Sequence, residues 1–167
     1  MAVTSPLFCR CELCGFMLIT PQGNMNIDKE KNDITGMPTL ATALGMRFYS
    51  TDAPDTCRAE MDVDSRTRQP FGVISGGATL ALAETLAGLG SLAACPGKRC
   101  AGISVTGHHM KAVEEGDTVV AVARLIHRGH KIHVWNVDVT NNAGELVSSV
   151  SVTNYITSQP NDIGKKK

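Results

Sequence analysis

Between residues 46 and 156 the apolar and polar side chains repeat with two different periods. Six runs, at 46–51, 57–63, 101–111, 118–127, 132–140 and 146–156, read as strands, the last four dominated by Val, Ile and Thr. Turn-forming groups separate them: Asp52-Ala53-Pro54-Asp55, Glu114-Glu115-Gly116-Asp117, Arg128-Gly129-His130 and Asn141-Asn142-Ala143-Gly144. After the second run the period changes. Residues 77–94 read GATLALAETLAGLGSLAA, apolar or small on every face except at Glu84, which predicts one long buried helix from about Gly76 to Ala94. A short helix is expected at 39–44, with Pro38 ahead of it and Gly45 ending it. Consecutive strands joined by short turns predict an antiparallel meander, and a single long helix must pack against it, giving an α+β domain.

At 167 residues and 17.7 kDa the chain can build one well-buried core. That domain is expected to span 37–158, with a loosely structured extension over 1–36 and a flexible tail over 159–167. The extension carries Cys9, Cys11 and Cys14, but a structural zinc site wants four ligands and no second pair with CxxC or HxxxH spacing follows nearby, so no metal is expected. Met17 and Met25 leave open a later translation start. Sixteen basic residues balance sixteen acidic ones without clustering, and only 4% of residues are aromatic, so no nucleic-acid surface is expected. No apolar run reaching the roughly 20 residues of a membrane span is read, and no membrane partner is expected. The separated thiols of Cys57, Cys95 and Cys100 suit a reducing, cytoplasmic setting.

Chemistry concentrates on the long helix. A lone carboxylate among apolar residues is expensive unless it is paired, hydrogen-bonded or protonated, so Glu84 reads either as a buried structural group or as a perturbed nucleophile or general base. Ser75-Gly76-Gly77 leaves free N–H groups at the positive end of the helix dipole with no Cβ in the way, which suits an oxyanion; a plain Ser N-cap and tight turn is the alternative. Gly76 and Glu84 are eight residues apart, roughly 12 Å along one helix, and cannot both touch one carbonyl. A site using both therefore needs a second, antiparallel copy of the helix, and so a dimer with composite sites.

The run Asp64-Ser65-Arg66-Thr67-Arg68-Gln69-Pro70-Phe71-Gly72, followed by Gly76-Gly77-Ala78 and Leu82-Ala83-Glu84, resembles the hotdog-fold acyl-CoA thioesterases of the phenylacetate-degradation type. The likeness covers about 38–157 and extends to His108-His109, His127-Arg128-Gly129, Trp135 and Ser148-Ser149. It implies a long helix wrapped by an antiparallel sheet and a homo-oligomer, a dimer or dimer of dimers. By the same likeness Glu84 is the catalytic carboxylate, Gly76 the amide that polarises the thioester carbonyl, and Gln69 the group that orients substrate or water. His109 is expected near the acyl pocket, and Lys111 and Lys131 near the CoA phosphates, with His108 a further candidate. Coenzyme A would be part of the substrate and no separate cofactor is implied.

Two positions depart from the family pattern. Ser75 stands where relatives commonly carry His, and Gly88 where they often carry Ser or Thr. Ser91, at i+7 from Glu84, is the expected stand-in for the lost hydroxyl. With Gly77, these complete the substrate-binding set. The reading is hydrolysis of an aromatic or naphthoyl acyl-CoA of the menaquinone-route type; the alternative is a hotdog module that binds acyl-CoA without hydrolysing it.

Overall fold

The computed structural model describes residues 25–157, so the cysteine segment and the 159–167 tail lie outside the described residues. In chain order the elements are α1 (Asp28–Thr35), α2 (Leu40–Ala43), β1 (Arg47–Ser50), β2 (Thr56–Asp62), α3 (Gly76–Ala94), β3 (Arg99–His109), β4 (Thr118–Arg128), β5 (Ile132–Thr140) and β6 (Leu146–Thr157). The strands form one antiparallel sheet in the order β1-β2-β4-β5-β6-β3.

Alternation along the strands makes the core. Cys57, Ala59 and Met61 of β2, Val119, Ala121 and Ala123 of β4, Trp135, Val137 and Val139 of β5, and Val150 and Val152 of β6 all point inward and are buried. They close on Leu82, Ala83, Leu86 and Leu89 of α3. Gly90 lets the sheet approach the helix: a Cβ there would lie 2.8 Å from the Trp135 ring at Cζ2. By length and composition α3 is apolar enough to cross a membrane, contrary to the sequence reading, but here it is the core helix under the sheet.

The sheet is not the simple meander expected. β1 pairs with β2, and β4, β5 and β6 follow one another as neighbours, but β3 crosses to the far edge and pairs with β6. The link after β3 is too long for a tight hairpin. It runs under the start of α3 instead, with Ile74 N–H donating to Val113 O at 2.8 Å and Glu115 N–H to Gly72 O at 2.9 Å. The extension is also partly ordered: α1 is helical, and Met25 and Ile27 just before it are buried, the Ile27 N–H donating to Ser50 Oγ at 3.1 Å.

Burial of α3 is one-sided. Gly77 and Glu84 are exposed, and Ala81 and Gly88 on the same stripe are half-buried. Glu84 is thus not the buried group its apolar neighbours suggest. The sheet of one chain covers only part of the helix, and the stripe left over lies beside the edge strand β3.

Candidate active site

A cavity of about 310 Å³ opens at the N-terminus of α3, lined by Gln69, Gly76, His109 and Lys111 among polar groups and by Val73, Ile74, Met110 and Val147 among apolar ones. Gln69 begins a turn in which Gly72 N–H donates to Gln69 O at 3.0 Å, with Pro70 fixing the second position. The Gln69 N–H donates to Val73 O at 2.7 Å, and its side-chain Nε2 donates to Ile74 O at 3.1 Å. That leaves the amide clamped on the cavity wall with a second N–H to offer.

Gly76 is the first residue of α3, where backbone N–H groups have no acceptor within the helix. The residue ahead of it, Ser75, makes no side-chain cap hydrogen bond, so the plain N-cap reading of its hydroxyl does not hold. Its backbone is held instead, N–H to Thr67 O at 2.8 Å. An imidazole stands over Gly76: a Cβ built there would be 2.7 Å from His109 Nε2. The ring is anchored on its other side, where Nδ1 and the Oγ of buried Ser148 are 2.8 Å apart. The amide end of the helix, a carboxamide and an imidazole thus converge on one small volume, suited to a carbonyl oxygen that gains negative charge.

Over 131 residues the chain is 34% identical to the 1,4-dihydroxy-2-naphthoyl-CoA hydrolase of Escherichia coli K12, a match spanning 78% of this chain and 95% of that one. This chain belongs to the thioesterase superfamily. The superfamily model itself matches residues 71–148. The fold agrees, for a crystal structure of a mutant thioesterase from Pseudomonas aeruginosa superposes with a TM-score of 0.72 at 32% identity, covering 78% of this chain and 94% of that one. The Escherichia coli PaaI protein of the phenylacetic acid degradation operon shares the fold at 19% identity and a TM-score of 0.71, covering 79% and 94%.

Within this hotdog thioesterase the expected site residues separate into two groups. Gln69, Gly76, His109 and Lys111 line the cavity, and Lys111 pairs with Glu145 at its rim. Glu84 does not line it and lies on the uncovered stripe, its carboxylate against Gly102 of β3. Gly88 is one turn further on, with nothing within 4 Å of where its Cβ would be.

One expectation fails, at Ser91, and two further expected residues, His108 and Lys131, lie outside the cavity lining. Ser91 is fully buried and its Oγ accepts from Trp135 Nε1 at 2.8 Å and Asn154 Nδ2 at 2.9 Å; the sheet claims the hydroxyl and none is left for substrate. His108 alternates with His109 on β3 and so faces away from the cavity. Lys131 sits in the turn between β4 and β5, outside the cavity lining. Sequence reasoning also missed Thr79 and Ser148, both of which line the cavity. Thr79 was legible as the residue one turn after Gly76, whereas Ser148, although part of the family likeness, is placed at the cavity only once β3 is known to pair with β6.

Proposed function

We propose that this thioesterase hydrolyses acyl-CoA thioesters, with aromatic or naphthoyl acyl groups preferred, at a site composed of two chains. The observation that carries this is the division just described: the carbonyl-binding groups are gathered in one cavity, while the carboxylate stands outside it on the face of α3 that the chain leaves open. An antiparallel second copy brings the two together. The sheet supports the same assembly, because β3 is an edge strand of 11 residues with Ile103 59% exposed, and long open edges call for a covering chain.

In that site the thioester carbonyl oxygen accepts the Gly76 N–H, with Gln69 and His109 beside it. Glu84 of the partner subunit drives the attack, either directly or by taking a proton from water. With water as nucleophile, the C–S bond breaks as the proton held by Glu84 passes to the departing sulfur, so that the free acid and the thiol of coenzyme A leave; with direct attack, the acyl anhydride formed on Glu84 is hydrolysed by water in a second step, which releases the acid, returns the carboxylate and supplies the proton of the thiol. Lys111 at the rim serves the anionic end of the substrate. Aromatic preference is supported by the substrate named in the Escherichia coli relative and by the Val73, Ile74, Met110 and Val147 wall of a cavity at the small end of the usual range of about 300–1,000 Å³.

The test is thiol release from aromatic, naphthoyl and straight-chain acyl-CoA esters by wild type and Glu84→Gln. Turnover on the aromatic class that falls by about 10²–10⁴ in the variant, with fold and assembly unchanged, is the expected result. A monomer with full activity refutes the two-chain site. The absence of a hydroxyl at Gly88, with Ser91 committed to the core, favours one second reading, a binding module; tight ester binding with no thiol release would establish it.

A further inference from the structure

Strand β3 is irregular opposite the helix. Gly102 pairs with Asn154 and Ser104 with Thr153, so the ladder with β6 slips by one residue and Ile103 is the extra one. Bulges of this kind re-aim the groups beside them. Here the bulge coincides with Glu84: a methyl group built on Gly102 would overlap Glu84 Oε1 and would lie 3.3 Å from its Cδ and 3.5 Å from its Cγ.

Glycine is not needed at 102 for its backbone. The described glycines with positive φ are Gly45, Gly72, Gly97, Gly116 and Gly144, and Gly102 is not among them. A strand glycine that is not conformationally required weakens its strand and marks a close approach. What approaches Gly102 is the Glu84 carboxylate. Because that carboxylate is the exposed end of a flexible side chain, a methyl group at 102 would displace it at small cost to the fold.

We propose that Gly102 is a positioning residue for Glu84. The side-chain-free bulge is the wall against which the carboxylate rests, and it selects the rotamer from which Glu84 reaches a thioester held at the Gly76 amide of the second chain. The inference rests on the two-chain hydrolytic site and adds the element that holds its carboxylate in place.

The experiment is steady-state thiol release by wild type, Gly102→Ala, Glu84→Asp and the double variant, on an ester that the wild type hydrolyses, with melting temperature and size measured alongside. Gly102→Ala is expected to keep its melting temperature and assembly, to lose kcat by about 10²-fold, as a reacting group misplaced by an ångström does, and to leave KM nearly unchanged. Aspartate withdraws the carboxylate by one methylene from the space the new methyl needs. The double variant is therefore expected to be no slower than the slower of the two single variants. Wild-type kcat in Gly102→Ala, a loss confined to KM, a collapse of fold or assembly, or losses that simply multiply in the double variant would each overturn the proposal. A wild type that releases no thiol, or a Glu84→Gln variant that keeps its activity, fails instead on the hydrolytic reading and takes this inference with it.

Discussion

Replacing Ser91 with Ala removes one oxygen from the core and leaves two donors to find other partners. The Trp135 Nε1–H, in a fully buried indole, loses its Ser91 acceptor, while Asn154 Nδ2 keeps its bond to Ala87 O at 3.1 Å. An orphaned buried donor costs about 1–3 kcal/mol, and the partial loss at Asn154 adds to it. Alanine returns roughly 0.5 kcal/mol in helix propensity. The net expectation is a destabilisation of about 2 kcal/mol, or about 4–8 °C in Tm for a chain of this size. Urea and thermal unfolding followed by circular dichroism, at one fixed protein concentration, measures it. Thiol release well below Tm should be unaffected, because the hydroxyl faces Trp135 and Asn154. A Ser91→Ala protein with wild-type stability and a reduced kcat would refute this account and restore Ser91 to the active site.

Gly88→Ser puts a hydroxyl where no atom lies within 4 Å of the new Cβ, so it should gain about 0.3–0.5 kcal/mol of stability and raise kcat, read by unfolding and thiol release together. Ser148→Ala frees the His109 ring, and kcat/KM should fall about tenfold at unchanged fold, the value of one hydrogen bond. Burial, reinforced by the charges of Arg128, His127 and Lys98, pushes the His133 imidazole down to about 4. The unfolded chain takes up that proton near pH 6.5 and the folded one does not. Stability is therefore complete above about pH 6.5 and falls by roughly 3 kcal/mol as pH drops to 4, a loss that urea midpoints should show and His133→Gln should flatten.

What was legible in the sequence was local. Turn signals bounding strand-like runs, β-branched in the last four, marked all six strands to within two residues, and the uninterrupted apolar stretch marked α3 at both ends. Partner choice between strands was not legible, since β3 and β4 are neighbours in the chain and edge and centre in the sheet. The helix α1, with the sequence DKEKNDIT, carries almost no apolar signal and depends on Met25 and Ile27 ahead of it for its attachment to the core. The site divided in the same way. Gln69 and Gly76 followed from motif and helix start, but the carboxylate's exposure depended on how far one sheet wraps one helix. Helical spacing put Ser91 near the face of Glu84, whereas in the fold Trp135 of β5 and Asn154 of β6 close over it.

The contact between Trp135 and α3 has a spectroscopic consequence. The chain has a single tryptophan, and its ring packs where Gly90 has no side chain, with its N–H on Ser91. Its fluorescence therefore reports one event, the seating of the long helix on the sheet, undiluted by any other indole. Trp135 does not line the cavity, so bound substrate should leave its emission unshifted while loss of the helix from the sheet moves it to the red. Emission and thiol release thus provide separate readouts of folding and chemistry from the same unlabelled protein.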